Sequence, residues 1–155
     1  MRVTGEQGIG KTLKIFLQVF FYAGIVALIV LPFLLSRLGF NLLGCMGVCY
    51  PNGVVLLVIT HRFIKLFDSL RLNNPFCKEN VKLLKTTGLV SFYGAILWLV
   101  DFLYYTFFVE EKDIILCGTF MFLSILFLGV DVALYVLGEL FREATEYKEE
   151  NDLTI

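Results

Sequence analysis

Four long apolar stretches, at residues 15–35, 42–60, 89–109 and 114–138, leave this chain few environments in which it can fold. Each is close to the ~20 residues that a helix rising ~1.5 Å per residue needs to cross ~30 Å of hydrocarbon. A lone segment crosses as a helix because a helix satisfies its own backbone hydrogen bonds without water. A composition of 58% apolar and 17% charged residues points the same way, well outside the range of soluble globular domains. The expected fold is all-α: a four-helix transmembrane bundle with cytoplasmic amphipathic helical extensions, residues 1–155 forming a single membrane domain. The first stretch has the length of a span, and Leu34-Leu35-Ser36-Arg37 follows in place of a small-residue cleavage site, so it reads as a retained anchor.

Orientation follows from the short connections. Arg2, Lys11 and Lys14 precede the first span, and Arg62, Lys65, Arg71, Lys78, Lys82 and Lys85 lie between the second and third. Arg37 is the basic residue of the first connection, and Glu110-Glu111-Lys112-Asp113 makes the third net acidic. The positive-inside rule therefore predicts that both termini and the loop 61–88 lie in the cytoplasm.

That loop has helical character of its own. Phe63, Ile64, Leu66, Phe67 and Leu70 recur at helical spacing, which predicts that the second span continues as an amphipathic helix. Asn73-Asn74-Pro75 should end it, with Asn74 capping and Pro75 opening a new helix over about 76–86 that runs into the third span. Beyond Gly138, Leu140, Phe141, Ala144 and Tyr147 share one side, surrounded by Glu139, Arg142, Glu143, Glu146 and Glu149, so a cytoplasmic tail over 139–155 is also expected to be helical.

Residues 5–12, Gly-Glu-Gln-Gly-Ile-Gly-Lys-Thr, satisfy the P-loop pattern. A P-loop needs a preceding strand and an α/β domain to aim its amides at the phosphates, whereas four residues precede this match and a membrane span follows. The segment reads as a glycine-rich tail facing anionic lipid. Asp101 and Asp131 lie inside spans three and four, where an ionised acid costs on the order of 2.5–3.5 kcal/mol. They form either an ion pathway, if they face each other or a wet cavity, or neutral hydrogen-bonded packing, with Tyr104, Tyr105 and Tyr135 as nearby donors.

Cys45, Cys49 and Cys117 sit toward the outer face, where a disulfide and simple close packing are the two readings. Gly44, Gly47 and Gly53, with Pro51, predict that the second span packs centrally. No nucleophile, acid–base pair or metal cluster stands at catalytic spacing, so neither enzymatic activity nor a cofactor is expected.

Charge separates the two cytoplasmic segments. From Thr60 to Thr87, six Lys/Arg stand against Asp68 and Glu79, a net +4. From Glu139 onward, six acids stand against Arg142 and Lys148, a net −4. The tail is expected to dock on the loop through contacts that weaken with salt.

Asn74-Pro75-Phe76, followed by Glu79-Asn80-Val81 and Leu84, and the closing Asp152-Leu153-Thr154-Ile155 resemble the bacterial membrane family named domain of unknown function 2975. The likeness extends over the whole chain, with Cys77 where serine or threonine is expected. It implies a multi-pass protein often encoded beside a small helix-turn-helix regulator of the Cro type. The leading functional expectation is a regulatory or interaction protein that engages such a partner through Asn74, Pro75, Phe76, Glu79, Asn80 and residues 152–155, without contacting nucleic acid itself. A small transporter or ion-coupled sensor using Asp101 and Asp131 is the alternative, and an immunity-type membrane protein the third.

Overall fold

A computed structural model describes residues 9–37, 39, 41–71, 76–109 and 113–152, and the side chains of all of these except 9, 10, 70, 71 and 152. The chain is all-α. Helix α1 spans Ile9–Arg37, α2 Leu42–Arg71, α3 Lys78–Phe108 and α4 Ile114–Asp152, and each contains a segment long and apolar enough to cross a membrane. This is a multi-pass membrane protein.

The helix boundaries follow local chemistry. Gly39 turns the chain after α1 at φ 98°, a conformation that suits a residue without a Cβ. Asn41 caps α2, its side-chain oxygen accepting from the Leu43 amide at 3.0 Å. Asp113 does the same for α4, accepting from the Ile115 amide at 2.8 Å. The start of α3 departs from expectation. Its first helical residue is Lys78, and Cys77 occupies the capping position without a side-chain cap. The expected Asn74-capped helix beginning near 76 is thus displaced by two residues, with Phe76 and Cys77 in a bend. Asn74 and Pro75 lie outside the described residues, as do Leu153, Thr154, Ile155 and the Asp152 side chain.

Successive helices pack in order: α1 on α2, α2 on α3, α3 on α4, the last pairing being the most extensive. Among the described residues α1 makes no close backbone approach to α3 or α4. Most of the interior belongs to α3, where Thr87, Gly88, Ser91, Gly94 and Ala95 are buried. Small residues let two helices approach closely when lipid supplies no hydrophobic drive between them. A Cβ at Gly94 would stand 2.6 Å from the Phe127 ring and 2.9 Å from Val55, so α2 and α4 side chains converge over that position. The Ser91 hydroxyl donates to the Phe127 carbonyl at 2.9 Å, and Ser124 donates to the Ala95 carbonyl at 3.0 Å. Thr60, Thr87 and Thr145 satisfy their hydroxyls on the carbonyl four residues back.

Span two packs between α1 and α3, but the most buried span is α3, contrary to the central place expected for span two, and the glycines of span two contribute unequally. Gly53 packs against Leu28 of α1, whereas a Cβ at Gly47 would meet nothing within 4 Å. The four cysteines are free. Cys117 lies 3.2 Å from the Thr106 hydroxyl, so packing is the reading that holds and the disulfide is not formed.

Candidate functional site

The start of α1, the end of α2, the start of α3 and the end of α4 gather at one end of the bundle, and most of the lysines and arginines gather with them. Helix α2 runs unbroken through the amphipathic segment to Arg71. Its Leu66 is buried with Leu84 of α3 and Leu134 of α4, with Phe63 and Phe141 packed on this cluster. The apolar stripe of the loop thus faces neighbouring helices, and the charged residues are displaced to the rim. Lys14 of α1 pairs with Asp68 of α2 at this rim.

Helix α4 continues well past Gly138 and lies against the first turns of α3. Lys85 contacts Glu139 at 2.7 Å, and Lys78 contacts Glu149 at 2.9 Å. The Phe76 ring rests on Phe141 with centroids 5.4 Å apart. The expected approach of acidic tail to basic loop is therefore present as ion pairs flanking an aromatic contact. Glu139 is held at both sides, since Arg142 also reaches it at 2.7 Å. Hydrogen bonds from Lys85 and Arg142 hold its carboxyl below the ordinary glutamate range. The same pairing with Glu139 raises the Arg142 guanidinium.

Three residues of the Asn-Pro-Phe and Glu-Asn motifs fall within the described part, and each has a different environment. Phe76 reaches α4. Asn80 is buried at 3% exposure and donates to the Ser69 hydroxyl at 2.8 Å, tying the start of α3 to the end of α2. Glu79 is exposed and lines a cleft bounded by α1, α2 and α3, together with His61, Arg62, Lys65, Lys82 and Thr86. On the outward side of the α4 extension, Leu140 and Tyr147 are 55% and 68% exposed, and Glu143 between them is also exposed. Spacings of three and seven residues put all three on one stripe.

The intramembrane acids do not meet. The Asn52 amide of α2 donates to Asp101 at 2.7 Å, while Asp131 packs over Gly88, its carboxylate 3.0 Å from where a Cβ would stand. Gly88 and Asp101 are both on α3, and a rise of ~1.5 Å per residue separates their levels by about 20 Å. Of the nearby tyrosines, Tyr105 accepts from the Asp113 amide at 3.1 Å and Tyr104 stacks on Phe108. Asn52 is the partner of Asp101, while Ser91 and Ser124 bond backbone carbonyls between α3 and α4. Their signal was present as isolated polar residues within apolar runs.

The family model described as protein of unknown function (DUF2975) matches residues 11–155. The chain belongs to this family. No curated protein and no solved structure matches this DUF2975 protein. The match begins at Lys11, two residues into α1, and so includes the rest of α1, the other three helices, the Asn-Pro-Phe segment and the C-terminal Asp-Leu-Thr-Ile of this DUF2975 protein.

Proposed function

We propose that this DUF2975 protein is a regulatory interaction protein of the bacterial plasma membrane, non-enzymatic, with the basic end of the bundle and both termini in the cytoplasm. The asymmetry of lysine and arginine between the two ends supports that orientation. One observation carries the functional reading: the α4 extension is a helix braced on α3 by Lys78–Glu149, Lys85–Glu139 and Phe76–Phe141. Bracing the inner side leaves Leu140, Glu143 and Tyr147 facing outward as a pre-organised stripe of mixed apolar and acidic character. A rigid helix face loses little conformational entropy on binding, and exposed aromatic and apolar groups supply contact area.

The charge of that extension selects the partner. With Glu139 and Glu149 drawn onto Lys85 and Lys78, the acid left on the outward stripe is Glu143, which attracts a basic protein surface, and the DNA-binding face of a small Cro-type helix-turn-helix regulator is such a surface. Docking there would hold the regulator at the membrane in competition with DNA. The ion-coupled reading is less well supported, because Asp101 and Asp131 engage different partners at different depths.

Affinity capture of the tagged full-length protein from membranes tests the proposal. Recovery of a helix-turn-helix protein that is lost when Glu143→Lys and Tyr147→Ala are combined is the expected result. Equal recovery with the double variant, or none with the unaltered chain, contradicts it.

A further inference from the structure

A cleft of about 680 Å³ opens between α1, α2 and α3 at the basic end of the bundle. Phe21, Leu57, Val58 and Leu83 give it apolar walls, and His61, Arg62, Lys65 and Lys82 line it with Glu79 as the acid among them. Elsewhere at this end, Lys14, Lys78, Lys85 and Arg142 each pair with a carboxylate. Among the described residues, Arg62, Lys65 and Lys82 pair with none. Arg62 Nη1 is buried without any hydrogen-bond partner, a costly condition for a charged donor unless an anion arrives to accept.

The layering of the cleft narrows the chemistry of that anion. Leu57 and Val58 lie about two turns deeper along α2 than Lys65, by a rise of ~1.5 Å per residue, so an apolar floor underlies a cationic rim. Because α1 makes no close approach to α3, the side between these helices is open to the bilayer. A phosphate carried on acyl chains has this same order of polarity and this route of entry. Guanidinium and ammonium groups both bind phosphate oxygens, and basic pockets between membrane helices suit anionic head groups. We propose that the cleft binds the phosphate of an anionic phospholipid from the surrounding leaflet, held by Arg62, Lys65 and Lys82, with its chains against Phe21, Leu57 and Val58.

Native mass spectrometry of the full-length protein in neutral detergent, titrated with phosphatidylglycerol or phosphatidylcholine, tests this. Phosphatidylglycerol should bind at least about tenfold more tightly, and Lys65→Gln and Lys82→Gln should each weaken it about fivefold. Both lysines are exposed, so the variants should keep the fold, and phosphatidylcholine retention should stay unchanged in them. Lys148→Gln, outside the cleft, should leave phosphatidylglycerol binding as it was. Equal affinity for the two lipids, or equal loss in the Lys148→Gln control, overturns the proposal. So does displacement of phosphatidylglycerol by an equal concentration of glycerol phosphate, which would assign the cleft to a free phosphate ester.

Discussion

Asn52 of α2 and Asp101 of α3 meet inside the membrane span, the amide nitrogen 2.7 Å from the carboxylate oxygen. Asn52 is 3% exposed and also donates to the Val48 carbonyl at 2.9 Å, so both of its N–H groups are used. Replacing Asn52 with leucine removes the partner of a carboxyl group that hydrocarbon solvates poorly. The expected cost is about 1–2 kcal/mol of resistance to denaturing detergent. Asp101→Asn in the unaltered background keeps a hydrogen-bonding group in place and should cost less. Equal stability of Asn52→Leu and the unaltered protein would show that the pair is not a structural contact.

Glycine substitutions should separate by what each new Cβ meets. Gly94→Ala drives a methyl group to 2.6 Å from the ring of buried Phe127 and 2.9 Å from Val55, and should destabilise by about 1–3 kcal/mol. Gly53→Ala meets the tip of Leu28, which can rotate away, and should cost less. Gly47→Ala meets nothing within 4 Å and should be neutral or slightly stabilising. Unfolding in denaturing detergent ranks the three, and a Gly47→Ala variant as damaged as Gly94→Ala would contradict the packing described.

Much of the fold was legible because hydrocarbon imposes simple rules. The four apolar runs, the continuation of α2 through Phe63 and Leu66, and the helical tail after Gly138 all follow from length and periodicity. The start of α3 was not, since Asn74 and Pro75 are strong local signals and yet Lys78 begins the helix after an uncapped Cys77. Tertiary contacts explain the shift: Phe76 is drawn onto Phe141, and Asn80 onto Ser69. Which glycines would pack was also hidden, because Gly47, Gly53 and Gly94 look alike until a partner helix selects one face. The site was half legible. Charge blocks placed the tail near the loop, but the cleft depends on three helices at once and has no sequence signature.

Acid should loosen the tail. The Glu139 carboxyl is depressed in the folded state by its hydrogen bonds to Lys85 and Arg142. A depressed carboxyl contributes stability that is present above its unfolded value, ordinarily about 4.5, and lost as pH falls through the folded one. Cleavage after Glu139 by an acid-tolerant protease should therefore stay slow near neutrality and quicken below about pH 4.5. Glu139→Gln should shift the onset of that change, and an unaltered profile would remove Glu139 from the clamp.

The two ion pairs of the clamp should differ in weight. Lys78 and Glu149 are 77% and 51% exposed, so water and salt screen them, whereas Lys85 and Glu139 are 36% and 30% exposed. Lys85→Glu should raise protease sensitivity of the α4 extension more than Lys78→Glu does, and added salt should narrow the gap between Lys78→Glu and the unaltered chain. The reverse ranking would mean that the outer pair, and not the one near the membrane, fixes the tail.

Which side of the membrane holds the braced extension of α4 is tested most directly by cysteine labelling. With Cys45, Cys49, Cys77 and Cys117 replaced by alanine, Lys148→Cys and Asp113→Cys are compared in intact cells using a membrane-impermeant maleimide. Asp113→Cys should label at once and Lys148→Cys only after the membrane is opened. Labelling of Lys148→Cys from outside intact cells would put the acidic stripe beyond reach of any cytosolic regulator and contradict the account.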